Sequence, residues 1–151
     1  MRAMVCACLL AVSGGTAFAS GGLSCESDDA QAKIAIESGV TRGMGGPLFN
    51  FRGAVEIGDT SVAEDLGKTT LEKAHVAQYW LDGQDLRLVI YREREGDKPH
   101  GYVQITVLAQ ARDDEGPYDG IYELDVFDAT GDLTGEGKTI KLKGQMSCFV
   151  E

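Results

Sequence analysis

Histidine, proline and tryptophan are scarce: two, three and one in 151 residues. The two histidines, His75 and His100, are separated in sequence, and nothing in the sequence places them together. His75 opens an extended run and His100 follows a Lys-Pro turn, so each reads as a strand-end or surface residue. The serines form no G-x-S-x-G elbow and no S-x-x-K motif. P-loop and G-x-G-x-x-G patterns are absent as well. Gly43-Met44-Gly45-Gly46 has the composition of a phosphate loop, but it leads into Pro47 and an extended run. A helix N-terminus, the usual anion cradle, is missing there. These absences remove the common nucleophilic, phosphoryl-transfer and dinucleotide chemistries, and no cofactor is implied.

Basic residues are also few, with 14 Lys and Arg against 24 Asp and Glu and a formal charge of −10. A polyanion is repelled by nucleic acid and by anionic lipid, so neither is an expected partner. No apolar run approaches the roughly 20 residues that a membrane-crossing helix needs.

The N-terminus is the most legible segment. Arg2 precedes an apolar run ending near Val12, then Gly14-Gly15, then Ala17-Phe18-Ala19 before Ser20. Small residues at the third and first positions before a cut fit the shallow pockets of signal peptidase. The pattern predicts a secretory signal over residues 1–19, cleaved near Ala19, and one domain over 20–151. Losing Arg2 with the leader takes the formal charge from −10 to −11. The expected location is therefore secreted or periplasmic.

Four cysteines then divide two and two. Cys6 and Cys8 leave with the leader, while Cys25 and Cys148 remain near the two ends. In an oxidising compartment an isolated pair most simply forms one disulfide. A zinc site lacks two further closely spaced ligands. A lipid anchor on Cys25 has a poor approach in Gly22-Leu23-Ser24.

Beyond a Gly-, Ser- and Asp-rich start over 20–29, expected to be loose, the dominant signal is period-two alternation, the mark of half-buried strands. Phe49, Phe51, Val55 and Ile57 are expected on one face, and Asn50, Arg52 and Glu56 on the other. Similar faces are Ile34 and Ile36; Ala77, Tyr79 and Leu81; Leu86, Leu88 and Ile90; Val103, Ile105, Val107 and Ala109; Tyr122, Leu124 and Val126; and Ile140 through Val150. Asp82-Gly83, the turn at 96–99, Glu115-Gly116-Pro117 and the stretch at 130–137 punctuate them. The region 58–73 is least strand-like, with a helical turn at 62–66 and a short strand at 69–71. Pairing Leu81 with Leu86, Ile90 with Ile105, Ala109 with Tyr122 and Val126 with Ile140 keeps every apolar set on one face. The fold class is all-β: an antiparallel meander of about seven or eight strands, forming a small barrel or sandwich with one disulfide.

The same register leaves Trp80, Val89, Tyr91, Tyr102 and Leu108 on the outer face, with Arg87, Arg92, Arg94, Glu93 and Glu95 mixing charge around them. Aromatics with arginine are the usual composition of interface centres. The segment 58–73 is a candidate cover for that stripe. Carboxylates at Asp128, Asp132 and Glu136 offer a calcium pattern, but the spacing departs from an EF-hand loop and a solvated hairpin explains it as well. With Asp113, Asp114, Glu115 and Asp119, this loop is expected to share one rim of the fold. The reading is a non-enzymatic binding domain. Its partner is a protein or envelope component, or a second copy in a homodimer. The alternatives are a lipocalin-like carrier of a small apolar ligand, although no early G-x-W motif is present, and a secreted hydrolase inhibitor acting through 43–47 or 115–119.

Overall fold

A computed structural model describes residues 20–41, 48–113, 116–130 and 136–151. Residues 1–19, read from the sequence as a leader, the glycine-rich stretch at 43–47, Asp114, Glu115 and Asp132 lie outside the described residues. Within them run strands β1 (Ser20–Asp28), β2 (Ala32–Thr41), β3 (Phe49–Ile57), β4 (Lys68–Glu72), β5 (Val76–Asp82), β6 (Asp85–Glu93), β7 (Gly101–Ala111), β8 (Gly116–Asp128) and β9 (Lys138–Val150). A short helix, α1 (Glu64–Gly67), precedes β4, and a 3₁₀ turn, Lys73–His75, separates β4 from β5.

The nine strands form one antiparallel sheet in the order β4-β3-β2-β1-β9-β8-β7-β6-β5, curled into a nearly closed barrel. The Gly- and Ser-rich start expected to be loose is strand β1. It pairs with β2 along its whole length and with β9 from Leu23–Val150 to Glu26–Ser147. Cys25 and Cys148 sit directly opposite in that second ladder and are disulfide-bonded. The bond closes the barrel between the strands nearest the two ends of the described chain.

Parity explains the remaining gap. Alternating direction through nine strands leaves the outermost two, β4 and β5, running the same way. Parallel neighbours need a crossover of about a dozen residues or more. Only the 3₁₀ turn lies between them, so they follow one another without pairing. β4 pairs with β3 and β5 with β6, and together they make one interrupted stave.

Inward alternation holds along most of the sheet. Leu86, Leu88, Ile90, Ile105, Val107, Tyr122 and Leu124 are completely buried. Each such aliphatic side chain contributes about 1.5–3 kcal/mol by leaving water. Three local departures have physical causes. Ala77 is an extra residue in β5: Val76 faces Ile90 and Gln78 faces Val89, so Ala77 leaves the inner face and is exposed. Phe49 does not share the inner face of Phe51. Asn50 has a φ of 51°, which breaks the alternation and turns Phe49 outward over Gly39. A Cβ on Gly39 would come within 2.1 Å of that ring.

The third departure is a shift of two residues between β7 and β8. Ala109 faces Gly120, not Tyr122, and Val107 faces Tyr122. A side chain at residue 120 would press on Ala109, where a Cβ would lie 2.8 Å from the alanine methyl. Glycine therefore permits the close pairing. An even shift preserves the inner face.

The segment after β3 closes one barrel end. The Gly58 amide donates to the Gln31 carbonyl (2.8 Å), Lys138 Nζ donates to Ser61 Oγ (2.7 Å), and Leu66 is completely buried. It is a plug at the barrel end, not a cover over the outer stripe.

Candidate binding face

Arginine and aspartate dominate the plugged end. Arg94, expected among exposed charges, has a side chain only 2 % exposed. Its Nε donates to Asp65 Oδ2 at 2.8 Å. One terminal nitrogen donates to Asp128 Oδ1 (2.8 Å), Thr130 Oγ1 (2.9 Å) and the Pro99 carbonyl (2.8 Å). One guanidinium thus ties α1 to the β6–β7 and β8–β9 connections. The Arg94 bond is the main reason Asp128 has its pKa lowered to about 2. Burial opposes ionisation of Asp65, but hydrogen bonds from Arg94 and Lys98 hold its carboxyl below the ordinary value. All this chemistry is satisfied internally, as expected of a structural clamp.

That geometry bears on the calcium pattern. Asp128 is committed to Arg94 and to the Thr130 amide, Glu136 is exposed, and Asp132 lies outside the described residues. No group of three or more His, Cys, Asp or Glu among the described residues is placed to hold a metal. The shared acidic rim is corrected too. β7 and β8 run in opposite directions, so the loops that follow them lie at opposite ends of the barrel.

A second polar pair, part-buried, fixes the β1–β2 turn. The Tyr122 hydroxyl reaches both Asp29 oxygens, at 3.0 and 2.9 Å, and Asp29 also accepts from the Gln31 and Ala32 amides. Burial first, then the Asp29 carboxylate, raises the Tyr122 pKa. Gly144 lies opposite Tyr122, and a Cβ there would come 2.1 Å from Asp29 Oδ2. Tyr122 and Tyr118 both occupy the barrel interior.

The outer face of β5–β8 carries the five residues read from the sequence. Trp80 faces Arg87, Arg87 faces Leu108, Val89 faces Thr106, Tyr91 faces Gln104, and Tyr102 faces Glu93. The structure divides them into two groups. Trp80 (57 % exposed) and Leu108 (39 % exposed) stand near the β5–β6 hairpin. Tyr91 and Tyr102 stand toward the plugged end, with ring centroids 5.3 Å apart. Tyr91 lies four residues, about 13 Å, along β6 from Arg87, and half-buried Val89 lies between.

Two members of the second group were missed in the sequence. Phe127 stacks on Tyr102 at 5.7 Å, and His100 lies 5.5 Å from Phe127 and 5.9 Å from Tyr102. His100 Nδ1 is 2.8 Å from Glu93 Oε1. Phe127 follows Val126 and so falls on the outer face by alternation, a signal that was available. Phe127 also covers Gly137, which has a φ of 64°. Tyr91, Tyr102 and Phe127 are thus half-buried and packed together with the exposed His100 at their edge, whereas Trp80 and Leu108 project.

Two open grooves lie on the other side of the barrel. One, of about 410 Å³, has Ala35 and Ala54 among its lining residues, with the ion pairs Lys33–Asp28 and Lys68–Glu56 at its walls. The other, of about 320 Å³, runs beside Phe149, Asn50 and the Arg52–Glu37 pair. No family model, curated protein or solved structure matches the chain.

Proposed function

We propose that this chain is a non-enzymatic binding barrel that meets a protein or cell-envelope component through the outer face of β5–β8. The observation that carries the reading is the projection of Trp80, the most exposed large hydrophobic side chain among the described residues, with Leu108 on the same face. Large aromatics exposed beside an arginine are the usual anchors of interfaces. The polar clusters elsewhere support the same reading, because Arg94, Asp65, Asp128, Asp29 and Tyr122 are all engaged in holding the fold. The interior contains the rings of Tyr118 and Tyr122, which supports an outer site over a carried ligand. The half-buried Tyr91, Val89 and Tyr102 extend the face toward the plugged end.

The buried disulfide points to an oxidising, extracytoplasmic compartment. Delivery by the leader at 1–19 belongs to the proposal, and the mass of the exported protein tests a cut after Ala19. The function is tested by crosslinked capture from the native envelope, followed by direct binding to the identified partner. A folded Trp80→Ala, Leu108→Ser variant loses the interaction, and a Phe149→Ser control keeps it. Wild-type affinity in the double variant removes this face from the reading. Sedimentation of the purified protein checks whether the face joins two copies instead.

A further inference from the structure

The end of the face nearest the β5–β6 hairpin has an unusual charge order. The outermost cross-strand row reads Asp82, Asp85, Gln110 and Asp119. Asp82 and Asp85 are direct cross-strand partners. Like charges in that position destabilise a hairpin. Gln110 Nε2 donates to Asp85 Oδ1 at 2.8 Å, but no lysine or arginine among the described residues pairs with Asp82, Asp85 or Asp119. The contrast is local. On the same face Lys141 pairs with Asp125 and Lys143 with Glu123. The adjoining row is Trp80, Arg87, Leu108 and half-buried Ile121. An apolar row therefore borders a row of carboxylates without a direct ion pair among the described residues; Arg87 lies within the apolar row, and Arg112 follows Gln110 by two residues, its carbonyl accepting from Gln84 Nε2 in the hairpin (2.7 Å).

We infer that the Trp80 end of the face docks a basic, amphipathic polypeptide segment, whose apolar side chain covers Trp80 and Leu108 and whose lysines or arginines meet Asp82, Asp85 and Asp119. This rests on the reading of the outer face as a binding face and adds the chemistry of the partner. Complementary charge selects partners and speeds encounter, and an apolar anchor supplies residence. A bare cation would leave the apolar row exposed. A purely apolar partner would leave Asp82 and Asp85 opposed.

The test uses the purified protein and three peptides of equal length, alternating leucine with lysine, glutamate or serine. Trp80 is the chain's single tryptophan and reports on its own site. Calorimetry gives affinities for variants that lack it. The lysine peptide binds and shifts Trp80 emission to the blue, while the glutamate peptide does not bind. Asp82→Asn and Asp119→Asn each weaken binding roughly two- to fivefold at low salt. Trp80→Ala weakens it about tenfold or more, and Asp28→Asn and Glu56→Gln on the opposite side leave it unchanged.

Equal, Trp80-dependent binding of the lysine and serine peptides would overturn the basic partner while leaving the binding face standing. Equal weakening by Asp28→Asn would reduce the effect to general attraction toward an acidic protein and overturn the inference in the same way. Binding that ignores Trp80 and Leu108 for every peptide overturns both. Asp82→Asn also raises the urea midpoint of the free protein. A lowered midpoint refutes the cross-strand repulsion on which the charge argument stands.

Discussion

Replacing Cys25 and Cys148 together with alanine removes the covalent closure of the barrel without leaving an unpaired thiol at that position. The bond spans 123 residues of sequence. In the chain-entropy account, a loop of that length withholds about 16 cal/mol/K from the unfolded chain, or about 5 kcal/mol at room temperature. A domain of this size has a total stability of roughly 5–15 kcal/mol, so the loss is a large fraction of the whole. It corresponds to a fall of roughly 15–20 °C in Tm. The structure also says where the damage concentrates. β1 keeps its full ladder to β2, but its ladder to β9 runs only from Leu23–Val150 to Glu26–Ser147. Urea unfolding gives the global figure, and amide exchange across that short ladder gives the local one. The double variant unfolds at much lower urea, and amides at the β1–β9 junction exchange faster than those between β7 and β8. A loss under about 1 kcal/mol with an unchanged urea slope would refute the argument, because a cross-link over so long a loop would then contribute almost nothing.

Arg94→Met leaves the Asp65 and Asp128 carboxylates without their cation, and urea unfolding shows a loss of about 3 kcal/mol; an accompanying Asp128→Asn change restores part of it. Acid tests the same clamp. The folded carboxyl of Asp128 sits at about 2 against an ordinary 3.8, and its side chain is 19 % exposed. A lowered folded value means that the stabilisation is complete above about pH 4 and disappears as pH falls through about 2. It amounts to about 2 kcal/mol, and Asp128→Asn flattens that limb of a stability-against-pH curve.

Much of the barrel's wall was legible because alternation is read directly from residue type. Leu86, Leu88 and Ile90 face inward as expected, and the hairpin at Asp82-Gly83 follows from its turn chemistry, with Gly83 at a φ of 54°. β1 was hidden because Gly21, Gly22, Ser24 and Ser27 have little intrinsic strand preference. Pairing on both sides, not propensity, makes it a strand. The flip at Phe49 was hidden because a single left-handed Asn50 inverts the period without altering composition. Arg94 was hidden because a charge in a loop reads as solvated unless its two distant carboxylates are known to converge. At the candidate site, Trp80 and Leu108 were legible from register alone. His100 was not, because its position depends on how the loop after β6 returns to β7.

The interrupted stave makes the barrel's connectivity cyclic in all but one bond. Every strand pair in the sheet joins neighbours in sequence except β1 with β9, and the Glu151 amide already donates to the Gly22 carbonyl at 3.0 Å. Linking residue 151 to residue 21 and cutting at the 3₁₀ turn would give a chain that starts at β5 and ends at β4, winding once around in unbroken order. The one distant pairing becomes an ordinary hairpin in that permuted chain. Its contact order drops, and because folding rate follows contact order, it should reach the same barrel faster than the natural order does.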